Sequence, residues 1–212
     1  MRHPRILLAD DHTLLLEAFR TLLEPTYEVV GTVADGLALL DAVPALKPDV
    51  TVIDIGMPRL NGLEAGRQLK RMIPEVKVIF LTMNEDPDLA VEAMREGASA
   101  YLLKKCAASE LFQAIQAALK GSSYVTPQIA RGMREAFIRD PQGKSRGKEL
   151  TPRQLQVIHL LAEGKSMKEA ADILRVTPRT IAFHKYRVME HLGIKTTAQL
   201  IQIAFNERVL VA

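Results

Sequence analysis

Tryptophan is absent from these 212 residues, and aromatic side chains together make up only 5% of them. A core must therefore be aliphatic, which a hydrophobic content of 48% allows. There is one cysteine, Cys106. No internal disulfide can form, which excludes the cysteine-stapled secreted scaffolds and points to a reducing compartment. Lys104 and Lys105 precede that thiol and favour its thiolate, but an ordinary unreactive cysteine is the plainer reading. Long apolar runs are missing as well. Ile6-Leu7-Leu8-Ala9 is cut off by two aspartates, too short for a signal peptide or a membrane span. A soluble cytoplasmic protein with no membrane partner is expected.

Charge is present but unevenly spread. Residues 1–143 hold 16 Lys and Arg against 19 Asp and Glu, whereas residues 144–212 hold 12 against 6. An acidic front and a basic back suggest two domains with different partners, the second a polyanion.

The front half is organised around Val50-Thr51-Val52-Ile53-Asp54. The β-branched run reads as a buried parallel strand, and Gly56 and Pro58 force a loop after it. Strands are expected at Arg5–Ala9, Tyr27–Val33, Val76–Leu81 and Ala100–Leu103. Helices are expected at His12–Leu23, Gly36–Leu46, Leu63–Met72, Leu89–Arg95 and Ser109–Lys120, the last with Ser109 as cap. Five alternations of strand and helix imply a parallel sheet with helices on both faces. Residues 121–148 change character, with a weak helical stretch around Ile129–Ile138 and then a polar, glycine-containing, basic linker.

In such a sheet the strand ends gather Asp10, Asp11 and Asp54 in one pocket, with Thr82 and Lys104 at its rim. Taken singly, each has a bland reading: helix-capping aspartates, a strand-end threonine, a solvated lysine. Taken together they form an acidic cradle. Carboxylates about 4 Å apart repel by roughly 4 kcal/mol at an effective dielectric near 20, so the cluster calls for a cation. All-oxygen ligation with room for water suits Mg²⁺, which would also neutralise phosphate oxygens while a carboxylate attacks phosphorus. A small-substrate aspartyl phosphatase would need a second acid two residues after the nucleophile, where Gly56 stands.

The pieces Ile6-Leu-Leu-Ala-Asp-Asp-His12, Asp54-Ile-Gly-Met-Pro58 with Asn61-Gly62, Leu81-Thr82 and Gly97-Ala-Ser-Ala-Tyr-Leu-Leu-Lys104 resemble a response-regulator receiver domain. The resemblance implies a flavodoxin-like, doubly wound α/β fold with five parallel strands in the order 2-1-3-4-5, over residues 4–120. It further implies that Asp54 accepts a phosphoryl group from a sensor histidine kinase. Asp11, Asp54 and the Gly56 carbonyl would bind Mg²⁺, with Asp10 assisting through water. Thr82 and Tyr101 fill the switch positions and Lys104 the phosphate-pairing position. The phosphate would draw Thr82 inward and open space for Tyr101 to turn toward the core; the bland alternative for Tyr101 is a half-buried aromatic with its hydroxyl in water. Lys105 departs from the acidic residue common at its position.

After the linker, 121–146, the remainder reads as helical. Thr151 and Pro152 open a helix with Leu155, Ile158, Leu161 and Ala162 facing inward. A short helix follows over Lys168–Leu174. Val176-Thr177-Pro178 makes a turn, with Thr177 capping a longer helix to Leu192. Helix, tight turn and longer basic helix fit the helix-turn-helix plan. A helical dimerisation unit with a charged face fits the pattern equally well. Leu150-Thr-Pro-Arg, Leu161-Ala-Glu-Gly-Lys165, Lys168-Glu-Ala-Ala171 and Thr180-Ile-Ala-Phe-His184 resemble a LuxR-type helix-turn-helix domain, a small four-helix unit over residues 147–212. By that likeness Ala182, Phe183 and Lys185 approach bases, and His184 and Arg187 lie nearer the backbone. Arg179, Thr180 and Lys195 complete the set facing double-stranded DNA. Ala182 replaces a common lysine, and Gln154 and Met167 depart from the usual Glu and Asn. The last helix, near Thr197–Asn206, would support a homodimer on a two-half-site operator. Together the two likenesses have the order of a NarL/FixJ-type response regulator, a regulator rather than an enzyme.

Overall fold

The computed structural model describes residues 2–139, 150, 152–174 and 176–206. The chain divides into two compact units, Met1–Ile138 and Arg139–Ala212.

The first unit alternates strand and helix as β1 (Arg5–Ala9), α1 (Thr13–Leu23), β2 (Glu28–Val33), α2 (Gly36–Leu46), β3 (Val50–Asp54) and α3 (Gly62–Met72). It continues with β4 (Lys77–Thr82), α4 (Pro87–Arg95), β5 (Ala100–Leu103), α5 (Ala107–Leu119), β6 (Tyr124–Val125) and α6 (Pro127–Arg139). The strands pair in parallel in the order β2-β1-β3-β4-β5-β6. The sheet thus carries a sixth strand beyond the five expected. Strand residues alternate between faces. Ile6, Leu8, Val50, Val52, Ile79 and Leu81 cluster with Leu16, Phe19 and Leu23 of α1 and Leu111 and Ile115 of α5. On the other face Leu7, Ile53 and Phe80 are buried, as are Leu39 of α2, Leu63 and Leu69 of α3 and Leu89 of α4. β3 is buried along its whole length.

Two details of this unit differ from the sequence reading. α5 starts at Ala107, and the Ser109 hydroxyl turns back onto the Cys106 carbonyl at 2.9 Å, so Ser109 lies inside the first turn and does not cap it. The stretch read as linker carries β6 and α6, which belong to the first unit as far as Ile138; residues 140–146 lie outside the described residues.

The second unit is helical: α7 (Pro152–Ala162), α8 (Met167–Leu174), α9 (Pro178–His191) and α10 (Thr197–Asn206). Its core joins Val157, Ile158, Leu161, Ala170, Ala171, Ile181, Val188, Met189 and Leu200. Val157 takes the inward place expected of Leu155, which is exposed. The Thr177 hydroxyl accepts from the Thr180 amide and caps α9 as expected. The cap expected at Thr151 lies outside the described residues. No described helix is long and apolar enough to cross a membrane.

Candidate functional site

β1 and β3 are neighbours, while β2 and β4 flank them on opposite sides, so the chain reverses its winding between them and leaves a crevice at their carboxyl ends. Asp10 and Asp11 follow β1, Asp54 ends β3, Thr82 ends β4 and Lys104 follows β5. Gly62 lets α3 start hard against this crevice, because a Cβ there would stand 2.0 Å from the Asp54 carbonyl oxygen.

The Lys104 ammonium lies 2.7 Å from Asp10 Oδ2 and 3.0 Å from Asp54 Oδ2, and all three side chains are nearly buried. The Gly56 amide donates to Asp54 Oδ1 at 3.1 Å. The His12 amide donates to Asp10 Oδ1 at 2.9 Å, and its ring Nδ1 stands 2.9 Å from that oxygen and 3.1 Å from Asp11 Oδ1. Donor atoms of Asp10, Asp11, His12 and Asp54 all lie within 4.8 Å of one another. Three carboxylates converge beside one ammonium, and their oxygens form a hard donor set. The donor set therefore fits a hard metal ion. Burial pushes the Asp54 carboxyl above its ordinary value; Lys104 opposes that rise and Asp10 adds to it.

Thr82 is buried, and its hydroxyl accepts from the Asn84 amide at 3.0 Å. Tyr101 is fully buried rather than half-buried, and its hydroxyl donates to the Asn84 carbonyl at 3.1 Å. That bond holds the ring inward, and β6 pairs with β5, so β5 is not the sheet edge. Burial holds the Tyr101 phenol well above its ordinary value. Sequence reasoning missed His12 and Asn84. Their signal was adjacency to the acid pair and to Thr82.

On α9 the structure divides the residues expected to face DNA. Arg179, Ala182, Phe183 and Arg187 are partly exposed, and Lys195, beyond the helix, is exposed. Thr180, His184 and Lys185 are buried. Ile181 and Val188 fix the inward face, and residues three or four positions from each of them fall on it. Lys185 therefore points inward, with its ammonium 3.4 Å from the Thr197 hydroxyl and 4.4 Å from the centre of the Tyr186 ring. Tyr186, not anticipated, is 59% exposed. It shares the face of Arg179, Ala182 and Phe183.

Residues 6–116 match the response regulator receiver domain, and residues 148–204 match the LuxR family of bacterial regulatory proteins. The chain belongs to the response regulators. It is 32% identical to the oxygen regulatory protein NreC of Staphylococcus aureus, over 97% of this chain and 99% of that protein. Among solved structures it is similar to a response regulator RcsB–DNA complex, at 28% identity and TM-score 0.62, covering 95% of this chain and 97% of that one. It is also similar to a LuxR-family two-component response regulator from Aurantimonas, at 33% identity and TM-score 0.61, covering 64% of this chain and 99% of that one. This response regulator is thus a phosphorylation-controlled regulator of transcription, with a receiver unit and a DNA-binding helix-turn-helix unit.

Proposed function

We propose that Asp54 is the phosphoacceptor and that its phosphorylation by a sensor histidine kinase governs operator binding through α9. The observation that carries this reading is the convergence of Asp10, Asp11, Asp54 and Lys104 from separate strand ends into one carboxylate-rich cluster. Asp11, Asp54 and the Gly56 carbonyl would hold Mg²⁺, with Asp10 acting through water. When bound, the ion neutralises charge on the phosphoryl oxygens. An Asp54 oxygen forms the new O–P bond as the P–N bond of the donor phosphohistidine breaks and its electron pair returns to the imidazole. Lys104 exchanges one of its two carboxylate partners for a phosphoryl oxygen. Thr82, whose hydroxyl holds the Asn84 amide, turns to another. Because the Asn84 carbonyl also holds Tyr101, a shift of Thr82 reaches the β4–α4 loop and Tyr101 together. Tyr101 needs no new space, since it is already inside.

In the DNA-binding unit the groove-facing set is Arg179, Ala182, Phe183, Tyr186 and Arg187, with Lys195 beside it. Lys185 and His184 support that helix from within. RcsB has been solved as two dimers bound to two parallel DNAs, and with the phosphomimetic BeF₃⁻ on a promoter. By that likeness, phosphorylation favours a homodimer that presents two α9 helices to successive major grooves. A cytoplasmic location follows from these partners.

The test is labelling by acetyl phosphate. The wild-type chain should form an acid-stable, base-labile acyl phosphate that requires Mg²⁺, and Asp54→Asn should form none. Equal labelling of the variant would overturn the assignment.

A further inference from the structure

The loop between β3 and α3, residues 55–61, carries the Gly56 carbonyl. Its first residue is fastened to the sheet, and its two ends are fastened to each other. The Ile55 amide donates to the Leu81 carbonyl at 3.3 Å, and the Gly62 amide to the Ile55 carbonyl at 2.9 Å. Its outer turn is held differently. Arg59 sits at φ +61°, a left-handed conformation that a side chain with Cβ rarely adopts. The Arg59 guanidinium pairs with Asp35 Oδ2, at the start of α2. Asp35 is nearly buried, and its other oxygen accepts the Leu37 and Ala38 amides at 3.0 Å each, capping that helix. Next to it, Gly36 abuts the same turn: a Cβ there would stand 2.4 Å from the Leu60 carbonyl oxygen.

One carboxylate therefore does two separate things. Oδ1 alone suffices to cap α2, and Oδ2 reaches across to an arginine in an unfavourable backbone conformation beside the phosphoacceptor. Capping does not require that second contact. A strained residue held by a specific partner next to a reactive group marks a functional constraint on the loop.

We propose that Asp35, through Arg59, is a positioning residue for the phosphoacceptor loop, fixing the turn that presents the Gly56 carbonyl to the divalent cation. This rests on the assignment of Asp54, Asp11 and Gly56 as the cation site. Releasing Arg59 lets the turn relax out of the left-handed region and withdraws one oxygen from the cation, while Asp54 itself is untouched. The latch acts on cation affinity and leaves the transfer step alone.

Two readouts on the full-length chain test it: Mn²⁺ binding followed by electron paramagnetic resonance, and the Mg²⁺ dependence of labelling by acetyl phosphate. Arg59→Ala should bind Mn²⁺ about fivefold more weakly. It should need correspondingly more Mg²⁺ for half-maximal labelling, with an unchanged rate at saturating Mg²⁺. Arg59→Lys should recover most of the loss. Asp35→Asn, which keeps an oxygen for the cap, should behave like Arg59→Ala. Mn²⁺ affinity in Arg59→Ala within twofold of wild type, or a loss that Arg59→Lys fails to recover, would overturn the proposal. Because the Arg59 variants leave the α2 cap intact, the test stands even if Asp35→Asn does not fold. A wild-type chain that neither binds Mn²⁺ nor labels at Asp54 would instead overturn the site assignment beneath it.

Discussion

At the scale of single residues, the acidic crevice is built against its own stability. Burial and the nearby Asp10 make the Asp54 carboxylate harder to ionise in the fold than in the unfolded chain, and Lys104 corrects this only in part. Stability on this account is fully present below the ordinary carboxylate range and is lost as pH rises through the raised value. Asp54→Asn does not ionise. With divalent cations chelated, it should melt at a higher temperature than wild type at neutral pH, and the difference should vanish in thermal scans as pH falls below the ordinary carboxylate range. An equal gain at all pH values would show that ionisation is not the cause. Gly62 makes the opposite case. Alanine there would force a methyl onto the Asp54 carbonyl, which cannot move without disturbing β3. Gly62→Ala should destabilise the receiver by about 2 kcal/mol or more in denaturant unfolding and blunt labelling at Asp54.

At the scale of elements, α6 is fastened to the loop and helix that follow Thr82. Glu85 in that loop takes Lys105 at 2.5 Å and the Gln128 amide at 2.8 Å. Here the unusual Lys105 finds its partner. Arg95 of α4 lies over the Phe137 ring at 5.2 Å. Gly132 faces Pro87, whose ring would stand 2.5 Å from an added Cβ. Alanine for glycine inside a helix ordinarily gains about 1 kcal/mol, whereas overpacking costs about 1–3 kcal/mol. Gly132→Ala should therefore fail to stabilise, and hydrogen exchange across residues 127–139 should quicken. A stabilised variant with slower exchange would show that α6 does not press on α4. On α9 the corresponding prediction separates two neighbours. Tyr186→Ala should weaken DNA binding and cost the fold no more than its one ring contact with Lys185, about 0.5–1 kcal/mol. Lys185→Ala should lower the melting temperature, because it removes a packed stem from the core side.

These elements also show what could be read from sequence and what could not. β1, β3, β4 and β5 announced themselves as β-branched or aliphatic runs ending in Asp, Thr or Lys, so the crevice was legible once the chain was wound. β6 was not. Two residues after Gly121-Ser-Ser carry no periodicity, and only pairing with β5 makes Tyr124–Val125 a strand. Nor does the sequence show the hydrogen bond to the Asn84 carbonyl that holds Tyr101 inside. Lys185 was placed at the bases by family likeness, whereas Ile181 and Val188 fix the inward face, and one step along the helix brings Tyr186 out instead. The Asp35–Arg59 pair joins residues 24 positions apart through a backbone conformation that no pattern advertises.

At the scale of the whole molecule, an acidic receiver and a basic helical unit share one chain, and the proposed control requires that a phosphoryl group on Asp54 alter what α9 does at DNA. The most direct measurement is affinity for a duplex selected by the phosphorylated chain, at about 0.15 M salt, with and without BeF₃⁻ and Mg²⁺. Wild type should bind about tenfold more tightly with the phosphoryl mimic, a coupling typical of allosteric control, and Asp54→Asn should not respond. Equal affinity in both states, or an equal response from Asp54→Asn, would contradict the account.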